Sequence, residues 1–138
     1  MNSDKSAGEG LLTVIFDTNI FIYADRGVEN AKDLLLTIPD RAISAVTYME
    51  YVPFCRNKRE LAIFDQLLRS LQVAIYDVST EISMLARKLV QQFALSHSVE
   101  MGDALIAATA LTYSETLCTG NDKHFKPVNG LVIQPFRP

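Results

Sequence analysis

Four acidic residues stand where their chemistry asks for an explanation. Asp17 follows directly on the apolar run LLTVIF, residues 11–16. Glu50 has Val46 and Phe54 four positions to either side, so a helix would set it on a partly buried face. Asp103 opens GDALIAATALTYS, with Ile106, Ala107 and Ala110 on its own helical face. Asp122 lies in the polar stretch TGNDKHF. Each has an ordinary account: a helix cap or turn for Asp17, an ion pair for Glu50, a cap on the positive end of a helix for Asp103, a solvated loop for Asp122. Taken jointly they point elsewhere. An ionised carboxylate taken out of water is costly unless it is paired or holds a metal. Hard divalent cations want oxygen ligands, and magnesium takes one or two carboxylates together with water and phosphate oxygens.

The elements that must gather these acids are legible as alternating strands and helices. Residues 11–16, 41–46, 73–78, 115–119 and 131–134 read as short strands rich in apolar and β-branched residues. Asp17, Thr18 and Asn19 offer oxygens to cap a helix running to Ala24, and Gly27 separates it from a second helix over 28–38. Pro39-Asp40 is a turn. A helix over 47–58 is divided or kinked at Pro53. Leu61, Phe64, Leu67, Leu68 and Leu71 recur at helical spacing, as do Ile82, Leu85, Ala86, Leu89, Val90 and Phe93 after a start at Ser79. Small residues over 102–114 make a helix able to pack close to a sheet, and 120–122 is a turn. This order predicts one domain over 11–138, a three-layer α/β/α fold with a central, mainly parallel sheet of four to five strands. Residues 1–10 are polar and read as a flexible tail. Ligands of such sheets bind where the strands' carboxyl ends open, and strand exits and helix starts are where the acids fall.

Composition narrows the classes. Hydrophobic residues make up 49% and charged residues 21%, as in an ordinary globular domain. No apolar run reaches the roughly 18–20 residues that span a bilayer, and the polar start lacks the basic and apolar segments of a secretory signal. Cys55 and Cys118 form no CxxC pair, and apolar neighbours suggest buried, reduced thiols in a cytoplasmic protein. The net charge of −3 does not announce a nucleic-acid binder, although clustered carboxylates awaiting a cation would lower it. No GxxxxGK[ST] loop is present, and no GxGxxG follows a strand. An aspartyl-nucleophile phosphohydrolase would show a second Asp two residues after the first, where this chain has Asn19.

With those residues in view, the chain resembles a known family. IFDTNIFIY at 15–23, SAVTYMEYV at 44–52, MGDALIAATA at 101–110 and LCTGNDKHF at 117–125 are similar, in order and spacing, to the motif blocks of PIN domains, most of all VapC-type toxins of prokaryotic toxin–antitoxin pairs. The resemblance covers about residues 11–135. It implies a ribonuclease that hydrolyses RNA phosphodiester bonds with Mg²⁺ or Mn²⁺. By it Asp17, Glu50 and Asp103 match the family's three acids and Asn19 and Thr119 match supporting polar residues; the family's usual fourth site falls on Asn121, with Asp122 one residue later, and Asp122 is taken as the fourth acid with Asn121 as the alternative. Asp17, Asp103 and Asp122 are then the implied metal ligands, and Glu50 a ligand through water or a general base. The resemblance also implies a homodimer and a small antitoxin partner, for which the helices over 31–38 and 47–71 carry apolar surface.

Substrate grip would come from cations near the acids through phosphate contacts. Arg26, Arg56 and Lys123 are the first candidates, then Lys58, Arg59 and Lys126; a solvated helix face or turn is the more ordinary account of each. His97 and His124 have no metal-binding spacing, and His124 reads as a loop residue within reach of RNA. Tyr23 and Phe125 are able to stack on bases or fill a core. A second reading keeps the fold and drops the catalysis: an inactive PIN-like module that binds RNA or protein.

Overall fold

Strand β1 (Thr13–Phe16) is the centre of the molecule, hydrogen-bonded on one side to β2 (Asp40–Ser44) and on the other to β4 (Thr116–Thr119). The computed structural model describes residues 13–138; the tail expected at 1–10 lies outside them. The outer strands are β3 (Ala74–Tyr76) beside β2 and β5 (Ile133–Pro135) beside β4, giving the order β3-β2-β1-β4-β5. All five strands run parallel.

Alternation along the strands makes the layers, because successive side chains leave a strand on opposite faces. Ile15, Ala42 and Leu117 enter one cluster with α5 (Thr80–Phe93) and α6 (Met101–Tyr113). Val14, Phe16, Ile43 and Cys118 enter the other with α1 (Thr18–Asp25), α2 (Glu29–Thr37) and α4 (Lys58–Ser70). Helix α3 (Ala45–Tyr51) gives Val46 to the first cluster and Tyr51 to the second, so it straddles the sheet. The short α7 (Asp122–Phe125) inserts Phe125 into the first core.

The boundaries depart from expectation at identifiable points. The second strand ends at Ser44 rather than Val46, because the Ser44 hydroxyl accepts from the Val46 N–H at 3.0 Å and starts α3 at once. The helix expected over 47–58 stops at Tyr51 and tightens into a 3₁₀ turn at Val52–Phe54, since Pro53 lacks the N–H that a helix interior uses. Asn57 then caps α4 through the Glu60 N–H at 2.9 Å. Asp40 belongs to the strand rather than to the turn, its carboxylate accepting from the Thr13 hydroxyl at 2.6 Å. Asp122 opens α7 where only a turn was expected.

After β1 the chain fills one side of the sheet with β2 and β3, then crosses back to place β4 on the other side. The order therefore reverses between β1 and β4, and their carboxyl ends flank the switch point at which open α/β sheets leave a crevice.

Candidate active site

Asp17 occupies that switch point. Its N–H continues the ladder by donating to Cys118 O at 2.9 Å, so the residue is fixed at the level where β4 ends. Its Oδ1 accepts from the Thr18 N–H at 2.8 Å, the helix-capping role expected of it. Its Oδ2 accepts from the Thr119 hydroxyl at 2.7 Å. The Thr119 oxygen in turn accepts from the Asn121 N–H at 2.9 Å, and Asn19 Oδ1 accepts from the Gly120 N–H at 3.1 Å. Asn19, Thr119 and Asn121 thus join the exit of β1 to the exit of β4, with Asn121 taking part through its backbone.

Thr18, read from sequence only as a capping oxygen, links two of the acids. Its N–H goes to Asp17, and its hydroxyl donates to Glu50 Oε1 at 2.5 Å. Glu50 is exposed rather than partly buried. The expected burial assumed Phe54 one helical turn on, but α3 has ended by then and Phe54 is itself exposed in the 3₁₀ turn. The other oxygen of Glu50 lies against Gly102: a Cβ there would collide with Oε2. Glycine at the second position of α6 is what lets Glu50 lie beside the residue that precedes Asp103.

Asp103 is half-buried at the start of α6, with Ile106, Ala107 and Ala110 buried as expected. Its Oδ2 accepts from the Glu100 N–H at 3.2 Å, so the capping role holds too, and it faces His124 Nδ1 at 3.4 Å. Thr18 thus links Asp17 to Glu50, and Gly102 sets Glu50 against the residue before Asp103.

Electrostatics report the same neighbourhood. Burial pushes Asp17 up to about 6; the hydrogen bonds from Thr119 and Thr18 oppose this, and the charges of Asp103 and Glu50 add to it. Burial raises Asp103 as well, against the pull of the Glu100 N–H and His124. Such a cluster fits a hard divalent cation in its donor type and in its surplus negative charge. Among the described residues no group of three or more His, Cys, Asp or Glu side chains is arranged to hold a metal ion.

Asp122 is taken up by a partner of its own. His124 on the same short helix meets Asp103, and residues two apart do not share a helix face. Asp122 faces Arg137, whose Nη1 and Nη2 donate to its two carboxylate oxygens at 2.9 and 3.2 Å, holding its carboxyl below the ordinary range. Sequence reading did not single out Arg137; nothing periodic or motif-like marks the last residues. Of the cations considered, Arg56 pairs with Glu60 at 2.7 Å, and Arg26, Lys58, Arg59, Lys123 and Lys126 are exposed. Phe125 is core, Tyr23 packs on Phe136 with ring centroids 5.6 Å apart, and exposed His97 bonds to Ser96. Cys118 is buried, whereas Cys55 is only half-buried; both are free.

A separate apolar groove of about 460 Å³ runs between α1, α2, the 3₁₀ turn and α4. Phe21 and Leu35 form its floor, and exposed Leu36, Phe54, Ile63 and Leu67 its rim. Among the described residues no helix is long and apolar enough to cross a membrane.

The comparisons speak to the fold and the family. The PIN domain model matches residues 14–131. A toxin–antitoxin complex from Klebsiella pneumoniae contains a chain 30% identical, with a TM-score of 0.75, aligned over 91% of this chain and 99% of that one. VapBC2 from Rickettsia felis, solved bound to a fragment of promoter DNA, aligns at 25% identity and a TM-score of 0.69 over 91% and 100% of the two chains. VapBC-1 from nontypeable Haemophilus influenzae shares the fold at 22% identity and a TM-score of 0.74, over 90% and 98%. No curated protein matches in sequence.

Proposed function

The chain belongs to the PIN-domain family, and on that premise we propose that it is a metal-dependent endoribonuclease acting as the toxin of a toxin–antitoxin pair. The observation that carries the reading is Asp17: a buried carboxylate at the switch point of a parallel sheet, with Glu50 and Asp103 beside it. Asp17 and Asp103 are the proposed holders of Mg²⁺ or Mn²⁺, and Asp122 is available to join them only by leaving Arg137. When bound, the ion supplies a Lewis acid that acidifies water and offsets charge on the phosphate. Thr119 and the Thr18 N–H fix the Asp17 carboxylate so that its oxygens do not rotate. Glu50, exposed and held by Thr18, is placed to accept a proton from the attacking water.

The apolar groove supports the partner in this proposal. Exposed apolar surface of this kind suits an apolar helix from a small antitoxin. A homodimer in the cytoplasm completes the reading. The inactive binding module remains the second reading, favoured by the pairing of Asp122 with Arg137.

The test is cleavage of a labelled single-stranded RNA oligonucleotide by purified protein, with Mn²⁺ or with EDTA. The proposal expects internal cuts with Mn²⁺, none with EDTA, and none from a folded Asp17→Asn variant. RNA bound but uncut under every condition selects the inactive module.

A further inference from the structure

Arg137 is held in an unusual state for an arginine near a chain end. Its Nη1 and Nη2 grip Asp122, and Nη1 also donates to Phe136 O at 3.0 Å. Its own carbonyl accepts from Asn30 Nδ2 at 2.6 Å, which fixes the backbone. Phe136 before it donates to Thr119 O at 2.8 Å and packs on Tyr23. The guanidinium is thus anchored through its backbone and through one edge of its fork, and Asp122 is largely buried beneath it.

The other edge is open. A guanidinium has five N–H donors in a planar fork. Asp122 takes the edge formed by the two terminal nitrogens, which leaves Nε–H and the outer Nη2–H side by side with no partner among the described residues. The side chain remains 64% exposed despite its ion pair. Two parallel N–H groups on a fixed arginine match a phosphate or a carboxylate bidentately. The position favours phosphate: Thr119 pairs with Pro135 and its O takes the Phe136 N–H, so Arg137 leaves the sheet at the same edge where Asp17 follows β1. A polyanion approaching the carboxylates at that edge is drawn by a cation on the same edge.

We propose that Arg137 grips a phosphodiester of the RNA substrate through its free edge, and that Asp122 serves to hold Arg137 rather than to bind the ion. The inference rests on the ribonuclease reading and refines it: the fourth acid of the site acts through an arginine. Arg137 is then a substrate-binding residue and Asp122 a positioning residue.

The experiment measures two quantities on the full chain: binding of a single-stranded RNA oligonucleotide across a salt series, by fluorescence anisotropy in EDTA, and Mn²⁺ binding alone, by electron paramagnetic resonance. Arg137→Ala should weaken RNA binding about tenfold and flatten the slope of log K against log salt by about 0.7, the share of one phosphate on a single strand. Arg137→Lys should keep most of the slope and lose part of the affinity, since the charge stays and the fork goes. Asp122→Asn should weaken RNA binding and leave the Mn²⁺ dissociation constant within about twofold. The inference is overturned if Arg137→Ala leaves the salt slope unchanged, or if Asp122→Asn weakens Mn²⁺ binding tenfold while RNA binding holds. Either result leaves the ribonuclease reading standing as long as the unaltered chain cuts RNA with Mn²⁺. A chain that neither binds nor cuts RNA sinks both.

Discussion

The Thr119 hydroxyl donates to Asp17 Oδ2 at 2.7 Å across 102 positions of sequence. This bond ties the ends of two adjacent parallel strands at the switch point and fixes the carboxylate on which the proposed site depends. Thr119→Val should remove a bond that lowers the Asp17 pKa and leave the Asn121 N–H without its acceptor. The acid limb of the pH–activity profile should move to higher pH, and the fold should lose about 1–3 kcal/mol. Cleavage rates across pH 5–8, with a denaturant titration alongside, check both.

Asp17 makes stability depend on pH in an unusual direction. Its pKa rises on folding from 3.8 to about 6. Between those values the folded chain holds more protons than the unfolded one, so stability falls as pH rises through the window and levels off above it. The penalty at neutral pH is on the order of 3 kcal/mol. Asp17→Asn should therefore melt at a higher temperature than the unaltered chain at pH 7.5, with the difference shrinking toward pH 4. Melting curves at the two pH values read this out.

Gly102→Ala separates folding from function. Alanine favours the helix by about 0.5–1 kcal/mol, and what its Cβ meets is only the end of the Glu50 side chain. Stability should hold or rise slightly. Glu50, displaced from Thr18, should lose its role, and kcat should drop about 10²-fold with KM little changed. A drop in melting temperature with kcat intact would contradict this.

Arg41 clasps the walls of the apolar groove. Its guanidinium donates to Leu35 O, Leu36 O and Leu71 O at 2.5, 3.0 and 2.8 Å, covering the carboxyl ends of α2 and α4 together. Arg41→Ala should cost about 2–4 kcal/mol and widen the groove. Hydrogen exchange should rise at the ends of both helices and remain unchanged in α6.

The sequence made the layers legible because alternating strands and amphipathic helices carry their own periodicity, and Asp17 and Asp103 stood out because a strand exit and a helix start are positions with a known direction. Glu50 was found for a reason that failed, since helical spacing to Phe54 presumed a helix that Pro53 ends. Asp122 could be seen as an acid in a loop, but not that it would open a turn of helix and pair with Arg137. Gly102 and Arg137 were silent, and Thr18 read only as a capping oxygen: their roles come from contacts across the fold, which no local pattern encodes.

Binding of Mn²⁺ to the purified chain tests the acidic centre most directly, before any question of substrate. Titration followed by electron paramagnetic resonance should show the ion taken up at neutral pH by the unaltered chain and weakened at least tenfold in Asp17→Asn and in Asp103→Asn. Equal affinity in all three would mean that these carboxylates do not share an ion, and the account of the site would fail.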